Sequence, residues 1–85
     1  MAGMLNHQQT EEVKRIRRLI RRLDIDGWMC EGADDERLVF FNNEEDKIFY
    51  ADYFGNITST SYEVPADVRK YAELEGKIAQ ICYLD

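Results

Sequence analysis

The chain is poor in the residues that most often carry chemistry, with one histidine, one proline and two cysteines among 85 residues. A Ser or Cys nucleophile needs a base within hydrogen-bond reach. The lone His7 lies in a polar N-terminal stretch with no such partner nearby in sequence, so no catalytic residue and no enzyme activity is expected. Structural zinc asks for about four ligands from His, Cys, Asp and Glu, and Cys30 and Cys82 have neither zinc nor redox-pair spacing. Neither a metal nor a cofactor is expected. No apolar run exceeds four residues, which leaves no membrane-spanning helix and no secretory-signal core. Phosphate-cradling glycine loops and calcium-loop spacings are missing too. These absences point to a soluble, cytoplasmic protein with reduced, half-buried cysteines.

What the chain does have is 45% hydrophobic and 33% charged residues, enough for one small globular domain. The net charge of −6 is unevenly distributed. Six bases, Lys14, Arg15, Arg17, Arg18, Arg21 and Arg22, stand against three acids between residues 11 and 24, whereas residues 25–85 hold fourteen acids and five bases. The result is a cationic segment on an anionic body. Overall acidity disfavours nucleic acid, whose binders neutralise phosphates with Lys and Arg, and favours a basic protein surface.

Periodicity predicts an α+β domain over residues 10–85 after a flexible tail at 1–9. Val13, Ile16, Leu19, Ile20 and Leu23 recur at helical spacing opposite the six bases. They predict an N-terminal amphipathic helix at about 10–24, capped by Thr10. Aromatic and β-branched runs broken by turn residues predict a four-stranded antiparallel meander at about 27–31, 37–42, 47–52 and 57–63. Pro65 can sit in the first turn of a C-terminal helix reaching about residue 83 through Val68, Tyr71, Leu74, Ile78 and Ile81. Gly76 interrupts it, and residues 77–83 also suit a strand. The predicted order is α-β-β-β-β-α.

Three groups of residues are candidates for function. Asp34, Asp35 and Glu36 and then Glu44, Glu45 and Asp46 fall in successive hairpin turns, hence at opposite ends of a meander, roughly 17–20 Å apart. That is too far for a glycosidase carboxylate pair, but suits a row of anionic contacts. Trp28, Tyr53 and Phe54 are candidate aromatic anchors. The Arg-rich helix face is the candidate for an alternative use, as a nucleic-acid-binding or regulatory module; lacking an aromatic anchor, it is not expected to bind membranes. In the central hairpin Leu38 and Phe40 alternate with Val39 and Phe41, and Ile48 and Tyr50 with Phe49 and Ala51. Both faces are therefore apolar, so that either the helices cover opposite faces or one face awaits a partner, including a second copy in a homodimer.

Trp28, Arg37-Leu38-Val39-Phe40-Phe41-Asn42 and Tyr50 resemble the three-stranded meander of WW domains over about residues 27–54. That resemblance implies a proline-rich ligand held between aromatics. Tyr50 stands where the second signature Trp belongs and Tyr53 where the family has Pro, so the likeness is confined to the hairpin. In size and charge the chain resembles small acidic phage-encoded inhibitors, anti-CRISPR proteins among them. The expectation is a non-catalytic interaction module docking on a basic surface of a larger, nucleic-acid-handling protein.

Overall fold

The structure, a computed structural model, describes residues 4–58 and 60–84. These form α1 (His7–Ile20), β1 (Trp28–Gly32), β2 (Arg37–Asn42), β3 (Lys47–Asp52) and α2 (Ala66–Tyr83). The sheet is antiparallel in the order β1-β2-β3.

The fold is thus α-β-β-β-α, and the predicted fourth strand at 57–63 is not formed among the described residues. Ser59, within that span, lies outside them. The segment touches β3 through a single bridge, Ala51 to Ile57, and through Thr58, whose backbone N–H and hydroxyl both donate to the Tyr50 carbonyl. A run of Thr and Ser offers no alternating apolar side chains to bury, so nothing rewards a longer ladder. Tyr62 instead packs against the core, its hydroxyl donating to the Ile48 carbonyl at 3.0 Å.

Helix α1 begins at His7, ahead of the predicted Thr10 cap, because Asn6 and Gln9 close a capping box. The Asn6 side chain accepts from the Gln9 N–H at 2.8 Å, and the Gln9 side chain accepts from the Asn6 N–H at 3.0 Å. Part of the predicted tail is therefore the start of the helix; Met1–Gly3 lie outside the described residues. The helix also stops earlier than predicted, at Ile20, with Arg17 and Arg18 in the last turn where cations oppose the helix dipole.

Helix α2 holds the layers together. One flank, with Val68, Tyr71, Ala72 and Ala79, closes over Trp28, Leu38, Phe40, Phe49 and Ala51 on the inner sheet face. Phe40 stacks on Phe49 at 5.0 Å, and meets Tyr71 edge-on at 5.2 Å. Its other flank, Leu74 and Ile78, receives Val13 and Ile16 of α1. Helix α1 packs chiefly on α2, and of its stripe only Ile20, with Leu23 beyond its end, also reaches the sheet cluster. Asp67, in the first turn of α2, accepts the Asp24 N–H at 2.8 Å and fixes the α1–β1 loop.

Gly76 has a structural purpose. A Cβ there would stand 2.9 Å from the Tyr53 carbonyl carbon and closer still to its oxygen, so the glycine lets α2 run against the backbone that leaves β3. Beside it, the Gln80 side chain donates to the same carbonyl. Alanine would gain about 1 kcal/mol of helix propensity, but overlap with rigid backbone outweighs that. We expect Gly76→Ala to lose about 1–2 kcal/mol net in denaturant unfolding. A stabilised variant would show that α2 can move off Tyr53 without penalty.

Candidate protein-binding surface

Both helices lie on one side of the sheet, and strand alternation therefore leaves the outer face uncovered. The register sets Met29, Phe41 and Ile48 in one row across the three strands, and Glu31, Val39 and Tyr50 in the next. Arg37 and Asp52 complete the face. Phe41, Val39 and Tyr50 shield one another and are half-buried, but Met29 and Ile48 are 54% and 53% exposed. The Arg37 guanidinium lies 5.1 Å from the centre of the Tyr50 ring, a cation–π contact that holds its charge at the edge of the apolar area.

The two acidic turns bracket this face. Each is built by an Asx residue that accepts backbone N–H groups, which explains why the chain turns there. Asp34 accepts from Glu36 N–H at 2.9 Å and Arg37 N–H at 3.0 Å, and pairs with the Arg37 side chain at 2.8 Å. At the other end the buried Asn42 accepts from Glu44 and Glu45 N–H groups at 3.0 and 3.1 Å. Asp46 adopts φ 54°, in the left-handed region that Asp tolerates better than most residues. Glu45 pairs with Lys47 at 3.2 Å. Among the described residues this leaves Asp35 and Glu36 at one end, and Glu44 and Asp46 at the other, as carboxylates without an ion pair. All four are exposed.

The predicted aromatic anchors divide. Trp28 is buried against Phe49, and Tyr53 is 5% exposed with its hydroxyl donating to the Asp34 carbonyl. Neither can enter a partner's pocket. Phe54 alone of the three stands in solvent, 67% exposed. On α1, Lys14 pairs with Glu11 and Arg15 with Glu12. Arg17, Arg18, Arg21 and Arg22 are exposed and without an ion pair among the described residues. They belong to the helical side, away from the open face.

No protein-family model, curated protein or solved structure matches this chain. Its chemistry must be read from its own residues. Among the described residues no group of three or more His, Cys, Asp and Glu is placed to hold a metal ion, and no helix is long and apolar enough to cross a membrane.

One buried carboxyl escaped the sequence. Glu75 of α2, half-buried, lines a hollow with Arg17, Cys30, Ile78 and Cys82. Burial pushes its carboxyl up, against the opposing influence of Cys30 and Arg17. Burial, followed by the Glu75 charge, likewise pushes the Cys30 thiol up, which keeps it protonated and unreactive. The signal was available, since Glu75 falls within the apolar stripe beside Tyr71, Ala72, Ile78 and Ala79.

Asp34 and Asp52 shift the other way, held down by hydrogen bonds: Asp34 first by the Glu36 N–H and then by Arg37, Asp52 first by the Asn56 side chain. These shifts give stability opposite slopes on the two sides of mildly acidic pH. The Glu75 contribution is complete below the ordinary carboxyl value of 4.5 and declines as pH rises above it. The Asp34 and Asp52 contributions are complete above 3.8 and are lost as pH falls below it. The thermal midpoint should therefore peak between about pH 4 and 5. Glu75→Gln should raise the midpoint at pH 7 and flatten the decline above pH 5. A midpoint at pH 7 no higher than the parent's would mean that the Glu75 carboxylate is not penalised by the fold.

Proposed function

We propose that this chain is a non-catalytic binding protein that lays its open sheet face on a larger protein, on an apolar patch flanked by lysines and arginines. The observation that carries this reading is the apolar face left uncovered between two turns that each end in unpaired carboxylates. Burial of Met29 and Ile48, each already about half covered, would supply the non-directional attraction, each worth about half of the roughly 1.5–3 kcal/mol of a fully exposed side chain. The acidic turns would set orientation and speed of encounter, as charges at an interface rim do. Strands of five, six and six residues give a footprint of only about 300 Å², short of the roughly 800 Å² per partner of a stable complex. The turns must therefore take part in the contact.

A homodimer through the same face is disfavoured by charge. A two-fold axis along or across the strands, which stacks two open faces in alignment, brings acidic turns against acidic turns at both ends. The sharpest form of the proposal is an inhibitor of a nucleic-acid-handling enzyme, of the kind phages encode. In it the unpaired carboxylates, Asp35 and Glu36 at one end and some 20 Å away Glu44 and Asp46, occupy the place of phosphates along a binding groove.

The test is affinity capture from native lysate followed by titration with the purified partner, using three variants. Met29→Glu with Ile48→Glu should weaken binding at least tenfold. Reversal of Glu44, Glu45 and Asp46 to Lys should slow association, most at low salt. Reversal of Arg15, Arg18 and Arg22 should change little, and the free protein should sediment as a monomer. Binding that survives the first variant and disappears with the third would replace this reading by a basic-helix module for nucleic acid or an acidic partner.

A further inference from the structure

At the β1–β2 end of the sheet, three segments far apart in sequence enclose a groove. The acidic turn brings Asp35 and Glu36, the loop after β3 brings Tyr53 and Phe54, and the end of α2 brings Tyr83 and Leu84. The groove has two adjoining hollows of about 350 and 290 Å³, and Asp35 and Tyr53 line both. Tyr53 is its floor, with its ring 6.4 Å from that of Tyr83. Tyr83 borders the larger hollow and Phe54 the smaller, 66% and 67% exposed. Two large rings standing in water beside a preformed hollow form a platform for a flat side-chain group.

The electrostatics narrow what the platform takes. Asp35 and Glu36 have no ion pair among the described residues, and α2 ends here with no basic residue in its last turn, so its partial negative charge adds to theirs. Burial, and after it the Asp35 carboxylate, push the Tyr53 hydroxyl up, as expected where negative potential gathers. The Asp52 carboxylate also lines the groove, but it is spent on the Phe54 and Asn56 N–H groups. An anionic ligand would be repelled, and an apolar one would strip water from the carboxylates without replacing their hydrogen bonds. A guanidinium satisfies both parts, since its face stacks on aromatic rings while its edge donates to carboxylates; an ammonium is a point charge and does only the second well.

We propose that this groove receives an arginine side chain of the partner protein, with the guanidinium against Phe54 and paired with Asp35 and Glu36, and its stem along the adjoining hollow that Tyr83 borders. The inference rests on the chain being a binder of basic proteins, yet it uses residues other than those of the open sheet face. It therefore has a test that needs no partner. A ¹⁵N-labelled sample is titrated with the blocked tripeptide Gly-Arg-Gly and with the same peptide carrying lysine, or the neutral isostere citrulline, in place of arginine.

The expected result is saturable shifts of the Asp35, Glu36, Phe54 and Leu84 amides by the arginine peptide, with a midpoint on the order of 1–10 mM. Lysine should bind at least threefold more weakly, and citrulline should give no saturation. Phe54→Ala and Tyr83→Ala should each weaken arginine binding at least threefold while keeping the dispersed spectrum of the fold. Met29→Glu with Ile48→Glu should leave it unchanged. Absence of saturable shifts at these amides, equal binding of citrulline or lysine, or indifference to both aromatic substitutions would overturn the proposal. Such a failure would leave the open-face reading standing, because that reading depends on Met29 and Ile48.

Discussion

Helix α2 has to satisfy two neighbours at once, and the rest of the molecule follows from how it does so. Its Ala72–Gly76–Ala79 strip is small enough for close approach, and at Gly76 it runs against the Tyr53 backbone. Seated this low, its Val68 and Tyr71 meet the aromatic cluster of the sheet, while Leu74 and Ile78 remain for α1. Helix α1 thereby finds its apolar stripe covered by another helix and has no need of the sheet's second face. Among the described residues there is no third helix to place there.

The charge division seen along the chain becomes a division between sides. The four arginines without an ion pair, in the last turn of α1 and just beyond it, lie on the helical side, and the acidic turns lie at the ends of the strands. Within each turn one polar residue is structural and the others are not. Asp34 and Asn42 use their oxygens on backbone N–H groups and hold the turn, which fixes in space the carboxylates that follow them. An acidic cluster in sequence is thus a mixture of scaffold and free charge, and hydrogen bonding separates the two.

Much of this could be read from the residues. Alternation in Arg37–Asn42 and Lys47–Asp52 gave strands with two apolar faces, and the open face is the consequence. Local patterns misled where a residue type is compatible with two environments. Thr58 and Thr60 suit an edge strand by propensity, but without an apolar face to bury the segment makes one bridge, at Ile57, and no ladder. Asn6 and Gln9 have capping-box spacing, which the polarity of the stretch concealed. Trp28 and Tyr53 looked like anchors because aromatic residues serve cores and interfaces alike, and only packing assigns them to the core.

Local patterns along the chain encode the helices and strands that alternation and helical spacing mark out, the position of each turn, and the separation of positive from negative charge. These depend on neighbours within a few residues. Only the tertiary structure decided which sheet face is covered, which aromatics remain in water, and that Asp35, Phe54 and Tyr83 share one groove. Those outcomes depend on how closely α2 can approach the sheet, a matter of volume fitted between segments remote in the chain, on which local periodicity is silent.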